Sequence, residues 1–330
     1  MNQITIGSGD DPSNEHHDTM TESIEFETAQ RKLFESVSLN VHSSFVDLEE
    51  PQVQTHVFEA GPRDDETPLL FVHGGGAFGA FLAPLIAQFD DSRVIGLDRP
   101  GYGLSSNFLY TEQNLRRTAI DVIEGVLDEL GIEQVDLVGH SMGGYASVLF
   151  ALSRPDRVRR LVLVGACAGF PGATPPLPLR LMTVPVLRRG LQRMAKPSEA
   201  GVLDVAEVFG EREAIQNYPA LIQVMVAETR SPKSSEAMLS EFSAFFSIRG
   251  WHQSIRLHKD ELTAIRQPTL VVWGEHDPIG SPDDVRAGIQ AIPNARLETT
   301  PTAHAPFLSS PERCAELVQA FKDEDLNESA

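Results

Sequence analysis

Residues 134–155 read as an apolar strand, "QVDLVGH", running straight into "SMGGYASVLFALSRP", which has helical spacing. At the junction stands "GHSMG", a serine with a glycine two positions to each side. This pattern limits the fold more than any other stretch. A G-x-S-x-G segment has meaning where a strand ends and a helix begins, because the serine there takes a strained positive φ that lifts its hydroxyl clear of the backbone. Side chains at Gly139 and Gly143 would collide with the neighbouring strand and helix. Gly144 and Ala146 continue a small face that lets the helix approach the sheet.

The surrounding chain supplies such a sheet. "SVSLNVHSSFVDL" (36–48) and "QVQTHVFEAG" (52–61) alternate as half-buried antiparallel strands do. "PLLFVH" (68–73), "RVIGLD" (93–98), "QVDLVGH" (134–140), "RVRRLVLVGA" (157–166), "PTLVVWGEHD" (268–277) and "ARLETT" (295–300) complete eight expected strands. Helical patterns at 114–131, 142–155, 282–292 and 311–324 fall between or after them. Strands alternating with helices imply right-handed crossovers and a mostly parallel sheet with helices on both faces. The α/β alternation stops near residue 170 and resumes near 260. Residues 36–170 and 260–323 therefore form the expected core, and 171–259 an inserted helical cap.

The chain has 330 residues, 27 basic and 47 acidic, for a net charge of −20. Residues 1–30 hold acids and no Lys or Arg, and residues 324–330 are acidic too, so both ends read as solvated, disordered tails. The negative body argues against a nucleic-acid partner. No apolar window is long enough for a membrane span, which argues against membrane contact, and the N-terminus lacks the pattern of a secretory signal. Two distant cysteines, Cys167 and Cys314, fit core positions in a reducing cytoplasm. A surface poor in lysine suggests adaptation to a salty cytoplasm.

A serine hydroxyl needs a base within reach, and the base needs an orienting group. Of ten histidines, His304 lies in "TPTAHAPF", after the last strand and before the last helix, at the carboxyl end of the sheet where open α/β folds build their sites. "LVVWGEHDPIG" offers Glu275 and Asp277, and the G-x-x-D spacing favours Asp277. The chain order is then Ser141, Asp277, His304, as a nucleophile elbow requires. An oxyanion would be met by the N–H of Met142 at the helix start and by the N–H of Gly75, to within one position, in "VHGGGAFG".

With "HGGG", "GHSMG", the Asp277 loop and the His304 loop together, the chain resembles the α/β-hydrolase superfamily in its capped branch, over about residues 50–323. "DRPGYGLSS" (98–106) resembles a loop of that branch that shapes the floor near the nucleophile. The resemblance implies the α/β-hydrolase fold, an acyl-enzyme route through Ser141, Asp277 and His304, and neither cofactor nor metal. A serine in place of aspartate disfavours epoxide opening and dehalogenation. The absence of "HGGPG" disfavours iminopeptidases, and "GGAFGAF" departs from the glycine-proline-glycine of many carbon–carbon bond hydrolases.

In the cap, "LRLMTVPVLRRGLQRMAK" (179–196) is basic without an acid; an amphipathic helix with arginines turned to water is favoured over attraction of an anionic substrate or a membrane surface. Phe242, Phe246 and Trp251 are spaced to offer an apolar face to a small, apolar acyl substrate. The leading expectation is a serine hydrolase of carboxylic esters or related acyl bonds. A carbon–carbon or amide hydrolase with the same triad, and a receptor-like binder with little turnover, are the alternatives.

Overall fold

The computed structural model describes residues 12–63, 67–166, 168–184 and 197–328. The strands of the main sheet are β1 (His42–Leu48), β2 (Val53–Ala60), β3 (Leu69–Val72), β4 (Val94–Leu97), β5 (Val135–His140), β6 (Val158–Val164), β9 (Thr269–Gly274) and β10 (Ala295–Thr300). They join in the order β1-β2-β4-β3-β5-β6-β9-β10. Only the β1–β2 and β2–β4 pairings are antiparallel. The eight-stranded, mostly parallel sheet and the α/β-hydrolase fold are therefore as expected from the sequence.

The inner strands β3, β4 and β5 are buried along their whole length. That is why they read as continuous apolar runs, with helix α2 (Ala83–Ile86) packed into one core and helix α3 (Leu115–Glu129) into the other. Successive residues still part to opposite sides. Leu70 and Val72 join one core, and Leu69 and Phe71 join the other. In β4, Gly96 is required by its neighbour, since a Cβ there would stand 2.2 Å from Cζ of Phe58.

The connections leaving β3 and β4 run in opposite directions across the sheet, β4 lying on one side of β3 and β5 on the other. Such a reversal opens a crevice at the carboxyl ends of the strands. Val72 of β3 pairs with Gly139 of β5 there, so the loops following the two strands emerge side by side.

The N-terminal expectation is corrected. Residues 12–36, most of which read as a disordered tail, form helix α1 (Pro12–Ser36). Phe26, Gln30, Leu33 and Phe34 are buried at i, i+4, i+7 and i+8, a stripe that anchors the helix despite its charge. Phe26 meets Phe78 edge-on at 5.2 Å, and Phe34 packs on Phe58 at 5.0 Å. The first strand consequently begins at His42, not near residue 36. At the other end the closing helix runs through to Glu328, inside the segment read as a tail.

Between β6 and β9 the chain forms α5 (Leu177–Met182), α6 (Glu199–Val208), α7 (Arg212–Ile215), α8 (Pro219–Arg230), α9 (Pro232–Phe245) and α10 (Lys259–Ala264). Among the described residues this helical pattern is broken once, by a small hairpin of β7 (Phe246–Ser247) and β8 (Gly250–Trp251), in which Phe246 pairs with Trp251 and Gly250 takes φ +104°. Of the basic stretch 179–196, residues 185–196 lie outside the described residues, as does Cys167; Cys314 is buried. Among the described residues, no helix is long and apolar enough to cross a membrane.

Candidate active site

Ser141 closes β5 and caps helix α4 (Met142–Ser153) with φ 53° and ψ −121°, a conformation that L-residues rarely hold. The glycines around it explain how the bend is tolerated. A Cβ on Gly139 would lie 2.5 Å from Ser147 Oγ and 2.6 Å from the Gly144 backbone. One on Gly143 would lie 2.1 Å from the Val72 carbonyl oxygen. Backbone cannot yield to such approaches, so the elbow needs glycine on both sides.

Three groups far apart in sequence meet at this bend. His304 Nε2 stands 2.9 Å from Ser141 Oγ, and His304 Nδ1 stands 2.9 Å from Asp277 Oδ2. The other oxygen of Asp277 accepts the N–H of Ile279 at 2.9 Å. A carboxylate accepts, so the imidazole proton sits on Nδ1 and Nε2 is left to receive the serine proton. Burial alone pulls the His304 imidazole down. The charge of Asp277, its hydrogen bond and the Glu211 carboxyl outweigh burial and hold the imidazole above the usual histidine range. Such a relay can withdraw a proton from a hydroxyl and return it to a leaving group. Glu275, the competing acid, is exposed and bonds only weakly to Thr299 at 3.4 Å.

The segment after α6 holds the histidine loop from above. Phe209 stacks on the His304 ring, and its carbonyl accepts the His304 N–H at 3.4 Å. Glu211, 3% exposed, accepts the Ala305 N–H at 2.5 Å, and burial pushes its carboxyl up to about 7. From behind, the neutral His140 ring packs 5.2 Å from that of His304, its own basicity lowered by burial and then by His304. The His140 ring thus backs that of His304.

The loop "HGGG" packs closely against Ser141. A Cβ on Gly74 would lie 2.9 Å from Ser141 Cβ, and Gly75 and Met142 line one pocket with Ser141. His73 Nε2 accepts the Arg99 backbone N–H at 2.8 Å, so its proton is on Nδ1, which donates to the Gly74 carbonyl at 2.8 Å. Burial and then Arg99 lower the His73 imidazole to about 3, which keeps it neutral. The "DRPGYGLSS" loop is organised by buried Asp98, which accepts from His56, Gly79 and Leu104.

Two linked spaces adjoin Ser141. The larger, about 250 Å³, is lined by apolar side chains of core and cap, with Ser141, His304, Phe242, Met182 and Val202 among them. The smaller, about 20 Å³, is bounded by Phe242, Phe246 and Trp251. All three expected cap aromatics thus stand around the serine. His252 and His258 do not; one bonds the Ser243 carbonyl and the other caps α10. Sequence reasoning passed over Phe209, Glu211 and Glu241 because nothing local marks a cap residue as a partner of a distant loop. Among the described residues, no three His, Cys, Asp or Glu side chains gather as a metal site would need.

Residues 67–311 match the alpha/beta hydrolase fold family. The chain belongs to this family. The hydrolase is 31% identical over 256 residues to a 2-hydroxy-6-oxononadienedioate/2-hydroxy-6-oxononatrienedioate hydrolase of Cupriavidus pinatubonensis, covering 74% of this chain and 82% of the relative. It is 30% identical over 287 residues to a poly(3-hydroxyalkanoate) depolymerase of Ectopseudomonas oleovorans, covering 85% of this chain and 92% of the relative. Among solved structures, a carboxylesterase of Bacillus subtilis superposes with a TM-score of 0.67 at 22% identity, covering 91% of the hydrolase and 98% of that chain, a likeness of fold.

Proposed function

We propose that the hydrolase cleaves carboxylic esters or related acyl bonds of small, largely apolar substrates through an acyl-enzyme on Ser141. The observation that carries this reading is the Ser141–His304–Asp277 relay, with both links at 2.9 Å, opening on an apolar cavity. His304 takes the serine proton as Oγ attacks the carbonyl, and Asp277 steadies the imidazolium. The N–H groups of Met142 and Gly75 receive the oxyanion. His304 then protonates the leaving alcohol, and water, activated by the same base, releases the acid.

Cleavage of a carbon–carbon bond is the second reading, and the name of the Cupriavidus relative specifies a dioate as the substrate to weigh against it. A dioate carries two carboxylates, and a buried site needs cations to hold them. Among the described residues, the larger cavity is lined by Glu211 and Glu228 and by neither Lys nor Arg. That lining favours an uncharged acyl substrate. A fluorophosphonate probe should label Ser141, and p-nitrophenyl acetate and butyrate should be turned over, with both lost in Ser141→Ala. Labelling without turnover of any ester in a panel of chain lengths would instead favour a binding protein, and turnover of a dienedioate alone the carbon–carbon reading.

A further inference from the structure

The oxyanion loop is tied to the cap through one buried ion pair. Arg99, 7% exposed, donates from Nη1 to Oε1 of Glu241, and from Nη2 to Oε2 of Glu241 at 3.2 Å. The same Nη2 also donates to the Gly74 carbonyl at 2.9 Å. Glu241 is fully buried on α9 and takes a further hydrogen bond from Tyr102 Oη. The Gly74 carbonyl therefore receives two donors, Arg99 Nη2 and His73 Nδ1.

A trans peptide sets the carbonyl of one residue and the N–H of the next in opposite directions. Holding the Gly74 carbonyl on the Arg99 and His73 side turns the Gly75 N–H to the opposite side. A Cβ on Gly74 would stand 2.9 Å from Ser141 Cβ, and Gly75 lines the pocket with Ser141 and Met142. The cap helix also bears on the loop directly. A Cβ on Gly75 would meet Phe242 at 3.0 Å and Glu241 Oε2 at 3.2 Å, and one on Gly76 would meet Met238 Sδ at 3.0 Å.

We propose that the Arg99–Glu241 pair is a positioning device that makes seating of the cap and aiming of the Gly75 N–H a single event. It rests on the acyl-transfer reading above and adds two positioning residues to it, one on the core and one on the cap. Neither touches the reacting atoms; both act through the Gly74 peptide. Arginine suits the task because its fork reaches a carboxylate and a carbonyl at once, which a lysine ammonium on a single point cannot match. Burial of the pair is by itself weak evidence that it serves stability, since such pairs are often replaceable by apolar side chains without loss.

The test compares native protein, Arg99→Lys, and the double variant Arg99→Met with Glu241→Met, which leaves no unpaired charge. Each is measured for kcat and KM on p-nitrophenyl butyrate, inhibition by butylboronic acid, whose tetrahedral adduct occupies the oxyanion site, and thermal midpoint. A misaimed donor should lower kcat by about tenfold to 10³-fold, with KM changed by less than about threefold. Boronate affinity should fall in step with kcat/KM. Arg99→Lys, which keeps a cation opposite Glu241, decides the question if the double variant does not fold. A folded variant with kcat within about twofold of native, or one losing kcat while holding boronate affinity, overturns the clamp. A native protein that neither labels at Ser141 nor turns over any ester overturns the acyl-transfer reading itself, a result distinct from active native protein with unaffected variants.

Discussion

Phe209 lies flat against His304, ring centroids 5.2 Å apart and planes within 24°, although one residue belongs to the cap and the other to the core. Because the Phe209 carbonyl also accepts the His304 backbone N–H, the proposed base is gripped at ring and main chain by the same residue. Phe209→Ala should keep the main-chain bond and release the ring. We expect kcat on p-nitrophenyl butyrate to fall about tenfold or more, since small displacements of a catalytic group are costly. An unchanged kcat would mean that Asp277 alone orients the imidazole.

Asp277→Asn tests that orientation from the other side. The amide can present its NH₂ to Nδ1, which moves the imidazole proton to Nε2 and leaves no acceptor for the serine hydroxyl. Turnover should drop by about 10⁴-fold with the fold intact, as the same Asp→Asn change does in the chymotrypsin-type triad. A drop of less than tenfold, read from steady-state kinetics, would be inconsistent with the relay.

The pH dependence follows from the direction of the His304 shift. In the proposed mechanism His304 must be neutral in the free enzyme, and Asp277 and Glu211 hold its pKa above the ordinary histidine value of 6.5 against the pull of burial. The kcat/KM profile should therefore fall on its acid side with a midpoint above 6.5, and Glu211→Gln should move that midpoint lower. A midpoint at or below 6.5 in the native protein contradicts the shift.

Glu211 also links pH to stability. Its carboxyl titrates at about 7 when folded, against an ordinary value of 4.5, chiefly because it is buried. The native state thus holds this proton over a range in which the unfolded chain has lost it. The contribution of Glu211 to stability is unaltered below pH 4.5 and declines as pH rises toward 7, by up to about 3 kcal/mol. Urea unfolding at pH 5 and pH 8 should show Glu211→Gln gaining relative to native as pH rises; a constant difference would refute this.

Gly143→Ala probes the elbow. Its Cβ would stand 2.1 Å from the Val72 carbonyl and 2.5 Å from that of His73, both backbone atoms. We expect destabilisation of about 1–3 kcal/mol, read as a lower urea midpoint, together with slower phosphonate labelling of Ser141. A native midpoint with native labelling would show that the helix can shift without disturbing the serine.

The strands, their parallel arrangement, the serine on its bend and the order serine, aspartate, histidine were legible in the sequence, because each depends on local chemistry. Buried parallel strands must be apolar along their length, and a positive-φ serine between backbones must have glycine beside it. Hence Ser141, Asp277 and His304 could be named from their positions at strand ends. Helix α1 was missed because its charge count outweighed a sparse stripe of Phe26, Gln30, Leu33 and Phe34, whose partners Phe58 and Phe78 lie far along the chain. The grip of Phe209 and Glu211 on the histidine loop, and that of the Arg99–Glu241 pair on the loop after β3, were decided by tertiary structure alone. Those contacts join cap residues to core residues across 94 to 142 positions. No local pattern specifies which buried carboxylate will face which loop; packing the cap onto the carboxyl edge of the sheet does.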